Sequence, residues 1–255
     1  MFKVFPICAF KDNYIWCIVN EHSKECVVVD PGDAAPVIKF LQEKSFKLTA
    51  ILLTHHHWDH TNGVKPLYDA YDVPVYAPQD TPLEIPAIRF EKETSFTILK
   101  NLTFEVLFVP GHTLDHIAYY GDGKLFCGDT LFSAGCGRLF EGTAEMMYDS
   151  LMKLKTLPDD TEVYCAHEYT LANLKFALAV EPDNHAAKQQ QQKVELLRSK
   201  QQVSLPSTIA LEKQINPFLR SDCSNVIQTI QQRTHLEALT PVEVFKHTRL
   251  WKDQF

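Results

Sequence analysis

The stretch TAILLTHHHWDHTNG, residues 49–63, decides how this chain is read. AILLT is apolar and β-leaning, which predicts a buried strand ending where the polar cluster begins. The polar part then packs four histidines and one aspartate into the six positions 55–60. In an extended or looping segment His55 and His57 point to one side and His56 to the other. Asp59 and His60 come just after, where the chain must turn. Crowded imidazoles repel when protonated and lose hydration when buried, and a carboxylate among them shares that cost. A metal cation removes the conflict, because neutral imidazole and carboxylate are its natural ligands.

The pattern recurs along the chain. LTFEVLFVPG reads as a strand followed by His112, KLFCG as a strand followed by Asp129, and EVYCA as a strand followed by His167. Four apolar strands therefore each deliver a potential ligand just past a C-terminal end, and in one packed sandwich those ends can converge. Five histidines and two aspartates (His55, His57, Asp59, His60, His112, Asp129 and His167) exceed one four-coordinate ion. Two ions sharing a carboxylate suit the number. His22, His185, His235 and His247 sit in polar or helical context and read as surface residues. His56 and His116 read as structural. Asp30 in VVVDPG reads as a turn former or as a carboxylate steadying a ligand imidazole.

The chain has 255 residues, 45% of them hydrophobic, enough for one substantial core and a smaller second domain. Its net charge of −7 offers no global basic field, so nucleic acid is not an expected partner. No apolar run approaches 18 residues, and the start MFKVFPICAF does not read as a signal peptide. The seven cysteines are odd in number and lie mostly in apolar runs, which fits reduced thiols in a cytoplasmic protein. Over residues 1–170 short β-rich runs alternate with helical spacing in APVIKFLQEK, NGVKPLYDAY and TAEMMYDSLMKLKTL. From about Thr170 the texture turns to Leu, Ala, Gln, Lys and Glu, which predicts an all-helical region over 171–255.

THHHWDH, GHT, FCGDTLF and AHEY resemble the metallo-β-lactamase-fold hydrolases. KDNYIW, GCGRLFEGTAEMM, CAHEYTLANLKFALAVEP, NPFLR and the terminal WKDQF are similar to the glyoxalase II, or hydroxyacylglutathione hydrolase, family within them. The resemblance implies an α+β fold: an αββα sandwich over 1–170 followed by a helical glutathione-binding domain over 171–255. It implies that His55, His57 and His112 hold one divalent ion, that Asp59, His60 and His167 hold the other, and that Asp129 bridges. Zinc is the expected metal, with iron and manganese as alternatives. The implied reaction is hydrolysis of S-D-lactoylglutathione to D-lactate and glutathione by a hydroxide between the ions, the second step of methylglyoxal detoxification.

The leaving thiol has an ordinary pKa of about 8.5, so no strong general acid is needed. Asp59 is expected to orient the attacking water as well as to ligate. The substrate carboxylates need an anion grip. Arg249 and Lys252 share a face if helical, and with Tyr169 and Arg138 they match the family's substrate contacts. Arg138 and Phe140 stand where other members have lysine and tyrosine. Asp115 stands at a common glycine, and its tolerance of left-handed geometry is expected to preserve the loop. Cys136 reads as a packing thiol. The expected partner is a small glutathione thioester, with the chain acting as a monomer away from membranes. A sulfur dioxygenase on the same fold is the alternative, separated by residues 171–255; a non-enzymatic metal module is a further one.

Overall fold

A computed structural model describes residues 2–255. They form two compact units. The first runs to Phe108 and resumes over Asp115–Gly128; the second is Val109–Leu114 with Asp129–Phe255.

The first unit holds strands β1 (Phe2–Ala9), β2 (Asn13–Asn20), β3 (Glu25–Val29), β4 (Lys47–Leu52), β5 (Val75–Pro78), β6 (Ile88–Phe90), β7 (Thr94–Ile98), β8 (Leu102–Phe108), β9 (Ile117–Gly121) and β10 (Lys124–Gly128). Its helices are α1 (Ala34–Lys44), α2 (Trp58–Thr61) and α3 (Val64–Tyr71). One sheet has the order β1-β2-β3-β4-β5-β6, and β10-β9-β8-β7 follow one another in another. β2, β3 and β4 read as near-continuous apolar runs because both faces are covered. β8 alternates buried and exposed residues along LTFEV, as a strand with one wet face must. β1 tolerates Pro6 because it is an edge strand. β3 and β4 are parallel, which requires the α1 crossover between them. Asp33 starts α1 by accepting from the Ala35 N–H, and Ser45 ends it in a left-handed conformation. Val28, Val37, Leu41, Ile51, Leu53 and Leu67 lie in the core between these elements.

The second unit holds β11 (Leu131–Phe132), β12 (Gly135–Cys136), α4 (Ala144–Lys155), β13 (Glu162–Cys165), α5 (Thr170–Val180), α6 (His185–Ser199), β14 (Ser207–Thr208), α7 (Ile209–Ile215), α8 (Ser224–Thr234) and α9 (Pro241–Gln254). Leu174, Ala177, Ala187, Val194 and Ile215 pack α5, α6 and α7 together.

Two local features depart from the pattern reading. Within the region expected to be all helical, residues 223–255 do not form one continuous helix: α8 ends at His235, its C-cap at φ 60°. Thr240 and Glu243 then form a reciprocal capping box with Pro241 at the first turn, and α9 begins anew. The tail also carries a two-residue strand, Ser207–Thr208, paired antiparallel with Glu162 and Val163. No helix among the described residues is long and apolar enough to cross a membrane.

Candidate metal centre

In the first unit the parallel strands β3 and β4 end side by side, and the Asp30 N–H donates to the Leu52 carbonyl at 2.9 Å. This puts the Asp30 carboxylate under the histidine segment. The Thr54 N–H donates to Asp30 Oδ1 at 2.8 Å, and the Thr54 hydroxyl donates to Oδ2 at 2.7 Å. With its proton committed there, the hydroxyl can only accept from His55 Nδ1, 3.1 Å away. His60 Nδ1 donates to the same Asp30 Oδ2 at 3.1 Å. Both rings are thereby held in one tautomer, with the Nε2 lone pair turned from the carboxylate.

His55 is fully buried, and its ring centroid lies 4.8 Å from His57 and 4.1 Å from His60. His60 Nε2 stands 3.5 Å from Asp59 Oδ2, and that oxygen accepts a hydrogen bond from Asn13 Nδ2 at 2.9 Å. Gly32 admits this packing: a Cβ there would lie 1.7 Å from the Asp59 carbonyl oxygen.

His56 and His116 have structural placements. His56 Nδ1 meets Asp115 Oδ1 at 2.9 Å, and Thr81 donates to Asp115 Oδ2 at 3.0 Å. Asp115 therefore does more than tolerate its loop, and it is absent from the residues with positive φ. His116 is buried and stacks on His55 at 4.6 Å.

In the second unit Asp129 follows β10 in sequence and opens the segment carrying the β11–β12 hairpin. His112 Nδ1 donates to the Arg138 carbonyl at 2.7 Å, so its Nε2 carries the lone pair of the neutral ring. That Nε2 faces Asp129 Oδ2 at 3.4 Å, while His167 Nε2 faces Asp129 Oδ1 at 3.3 Å. One carboxylate thus turns each oxygen to a separate imidazole. A lone pair aimed at a carboxylate is repulsive unless a proton or cation lies between them. His167 also stacks flat on Tyr169, with centroids 4.8 Å apart and a 2° interplanar angle. The donor set of buried and half-buried imidazoles and carboxylates fits a divalent ion, whose natural ligands they are.

Helices hold this hairpin by side chains that sequence reading did not single out. Asn216 Nδ2 donates to the carbonyls of Phe132 and Gly135 at 3.1 and 2.9 Å. Asn173 Nδ2 donates to the Ser133 carbonyl at 3.1 Å. Glu212 Oε2 accepts from the Ala134 N–H at 2.7 Å. Burial pushes the Glu212 carboxyl up from its ordinary range, against the lowering effect of the hydrogen bonds it accepts from Ser207, the Ala134 N–H and Asn216.

The expected substrate residues are unevenly exposed. Arg249 is 6% exposed and donates from Nη1 to the Cys136 carbonyl at 2.9 Å. Lys252 lies half-buried with Nζ 5.2 Å from the Phe176 ring, and burial lowers its pKa, as does Arg249 beside it. Arg138, Tyr169 and Phe140 reach the surface, and the Phe140 ring meets His112 edge-on at 5.2 Å. Burial drives the Cys136 thiol up to about 11 despite Arg249, which fits a packing thiol. All seven cysteines are free.

Residues 11–167 match the Metallo-beta-lactamase superfamily, and residues 168–255 match the Hydroxyacylglutathione hydrolase C-terminus. With relatives of that name 47–52% identical over its full length, the chain belongs to the hydroxyacylglutathione hydrolase family. A family protein of that name from Aliivibrio fischeri is 52% identical over 257 residues, covering 100% of both chains. The hydroxyacylglutathione hydrolase of Pseudomonas fluorescens is 47% identical, with the same full coverage. Among solved structures, ETHE1 from Myxococcus xanthus aligns with a TM-score of 0.66 at 25% identity, covering 99% of this chain and 98% of that one. The fold of this hydroxyacylglutathione hydrolase family chain is the metallo-β-lactamase fold with a helical C-terminal region, and family and donor clusters together support divalent metal binding.

Proposed function

We propose that the chain hydrolyses S-2-hydroxyacylglutathione thioesters, S-D-lactoylglutathione among them, and that His55, His57, Asp59, His60, His112, Asp129 and His167 are the ligands of two divalent ions. The observation that carries the reading is Asp129, whose two oxygens each face an imidazole nitrogen at 3.3–3.4 Å. Zinc is the metal proposed, with iron and manganese compatible with the same donors. Ions held there supply Lewis acidity toward a carbonyl oxygen and ionise water near neutral pH.

The chain's own residues hold and orient. Asp30 and Thr54 keep protons on His55 Nδ1 and His60 Nδ1, and the Arg138 carbonyl does so for His112, so that each Nε2 presents a lone pair. Asp59, steadied by Asn13, is proposed to orient the attacking water. The departing glutathione thiol has an ordinary pKa of about 8.5, so the thiolate leaves without a side-chain acid. Arg138, Tyr169, Arg249 and Lys252 are proposed to meet the glutathione moiety.

Metal analysis of the purified protein, combined with anaerobic turnover of S-D-lactoylglutathione followed by loss of thioester absorbance, tests this reading. Close to two ions per chain with oxygen-independent hydrolysis are expected. Fewer than two ions at saturation, or a strict oxygen requirement, would overturn it.

A further inference from the structure

Asp253 lies inside the cationic group that the proposed function assigns to the substrate. Its Oδ1 accepts from Arg249 Nη2 at 3.0 Å and faces Arg138 Nε at 3.4 Å. The two arginines differ in freedom. The Arg249 side chain is 8% exposed and tied by Nη1 to the Cys136 carbonyl, so it cannot swing out. The Arg138 side chain is 56% exposed and leaves an ion pair at little cost.

We propose that Asp253 is an internal carboxylate that stands in the place of a substrate carboxylate between Arg138 and Arg249, and so sets the affinity for glutathione-bearing ligands. The inference rests on the reading that Arg138, Arg249 and Lys252 meet those ligands. A carboxylate is bound by guanidinium N–H groups at hydrogen-bond distance, and Asp253 supplies that chemistry from within the chain. An incoming carboxylate must displace Asp253 from Arg138 or share the cations with it, and like charges so close oppose each other. The penalty falls equally on substrate and on product, because hydrolysis leaves the glutathione carboxylates unchanged. A contact that weakens both uniformly raises KM and speeds release of glutathione without touching the reacting carbonyl.

Calorimetric binding of S-methylglutathione, a thioether that cannot be hydrolysed, tests this on the metal-loaded protein, on Asp253→Asn and on Lys252→Ala. Asp253→Asn keeps the shape of the side chain and removes its charge. It is expected to bind roughly 3–10-fold more tightly at low ionic strength, the scale of one screened charge contact. The gain should shrink as salt is added, and inhibition by glutathione should strengthen in parallel. Equal or weaker binding by Asp253→Asn, while Lys252→Ala weakens binding, overturns the proposal for Asp253 and makes it a residue that positions Arg249. Unchanged binding by Lys252→Ala overturns both the cationic grip and the inference resting on it.

Discussion

The two units orient their imidazoles by different means. In the first, a single carboxylate serves the segment: Asp30 receives Thr54 twice and His60 once, and reaches His55 through the Thr54 hydroxyl. In the second, His112 is held by a main-chain carbonyl and His167 by stacking on Tyr169. Side-chain control concentrates the load on one residue, whereas main-chain and ring control spread it over a hairpin and the helices behind it. The first arrangement is exposed to single substitutions, and the second to whatever moves the backbone.

Asp30→Asn tests that contrast most severely. The amide offers one acceptor where the carboxylate offered two oxygens and a charge, so the hydrogen bonds to Thr54 and His60 cannot all survive. Zinc affinity should fall by about 10–100-fold, the usual loss when a carboxylate behind a ligating imidazole is removed. Arg138→Ala should leave affinity within about twofold, because the acceptor for His112 is a carbonyl that the substitution keeps. Competition with a chromophoric chelator measures both. Equal losses in the two variants would erase the distinction between the units.

The first unit's half of this comparison was largely legible in the sequence. AILLT running straight into His-His-His-Trp-Asp-His is a local pattern, and VVVDPG marks Asp30 as a turn former or as a carboxylate steadying a ligand imidazole. The Thr54 relay was not legible, since threonine at a strand end reads as an ordinary β-former. In the second unit His112, Asp129 and His167 follow apolar strands in the same local way, but the side chains behind them are not legible. NPFLR carries only a family resemblance, yet Asn216 reaches a carbonyl 84 positions earlier in the chain, a distance no periodicity spans. The break before α9 had a local signal, Thr-Pro-Val-Glu at 240–243, which the run of helix formers on either side obscured. Asp253 stands at the i,i+4 spacing from Arg249, but only the cations of that stretch, Arg249 and Lys252, stand out in the sequence as an anion grip.

Glu212 sharpens the comparison from the second unit's side, with a smaller effect read as stability. It is buried with its carboxyl pKa raised, chiefly by loss of hydration. A raised carboxyl favours the protonated folded state. Its contribution is therefore fully present below the unfolded value of about 4.3 and is lost as pH climbs through the raised folded value. Glu212→Gln keeps an acceptor for the Ala134 N–H and cannot ionise. Urea unfolding should show the variant gaining stability relative to the parent between pH 4 and pH 7. A difference that stays constant over that range would mean that Glu212 ionises in the fold without penalty.

The smallest effects are expected at Tyr169, where ring and hydroxyl can be separated. If the stack on His167 is what orients that imidazole, Tyr169→Phe keeps it and should leave zinc affinity within about twofold, since an aromatic pair does not need the hydroxyl. Tyr169→Ala removes the ring and should weaken zinc by about 2–10-fold, the equivalent of a stacking contribution near 0.5–1.5 kcal/mol. That loss stays below the one expected at Asp30, because Phe132 still meets His167 edge-on at 5.9 Å and because stacking steers a ring without fixing its tautomer. In Tyr169→Phe any change should appear in KM for the thioester, where the proposed contact of the hydroxyl with glutathione is lost. A zinc defect in Tyr169→Phe equal to that in Tyr169→Ala would instead place the hydroxyl, not the ring, behind His167, and the second unit would then resemble the first.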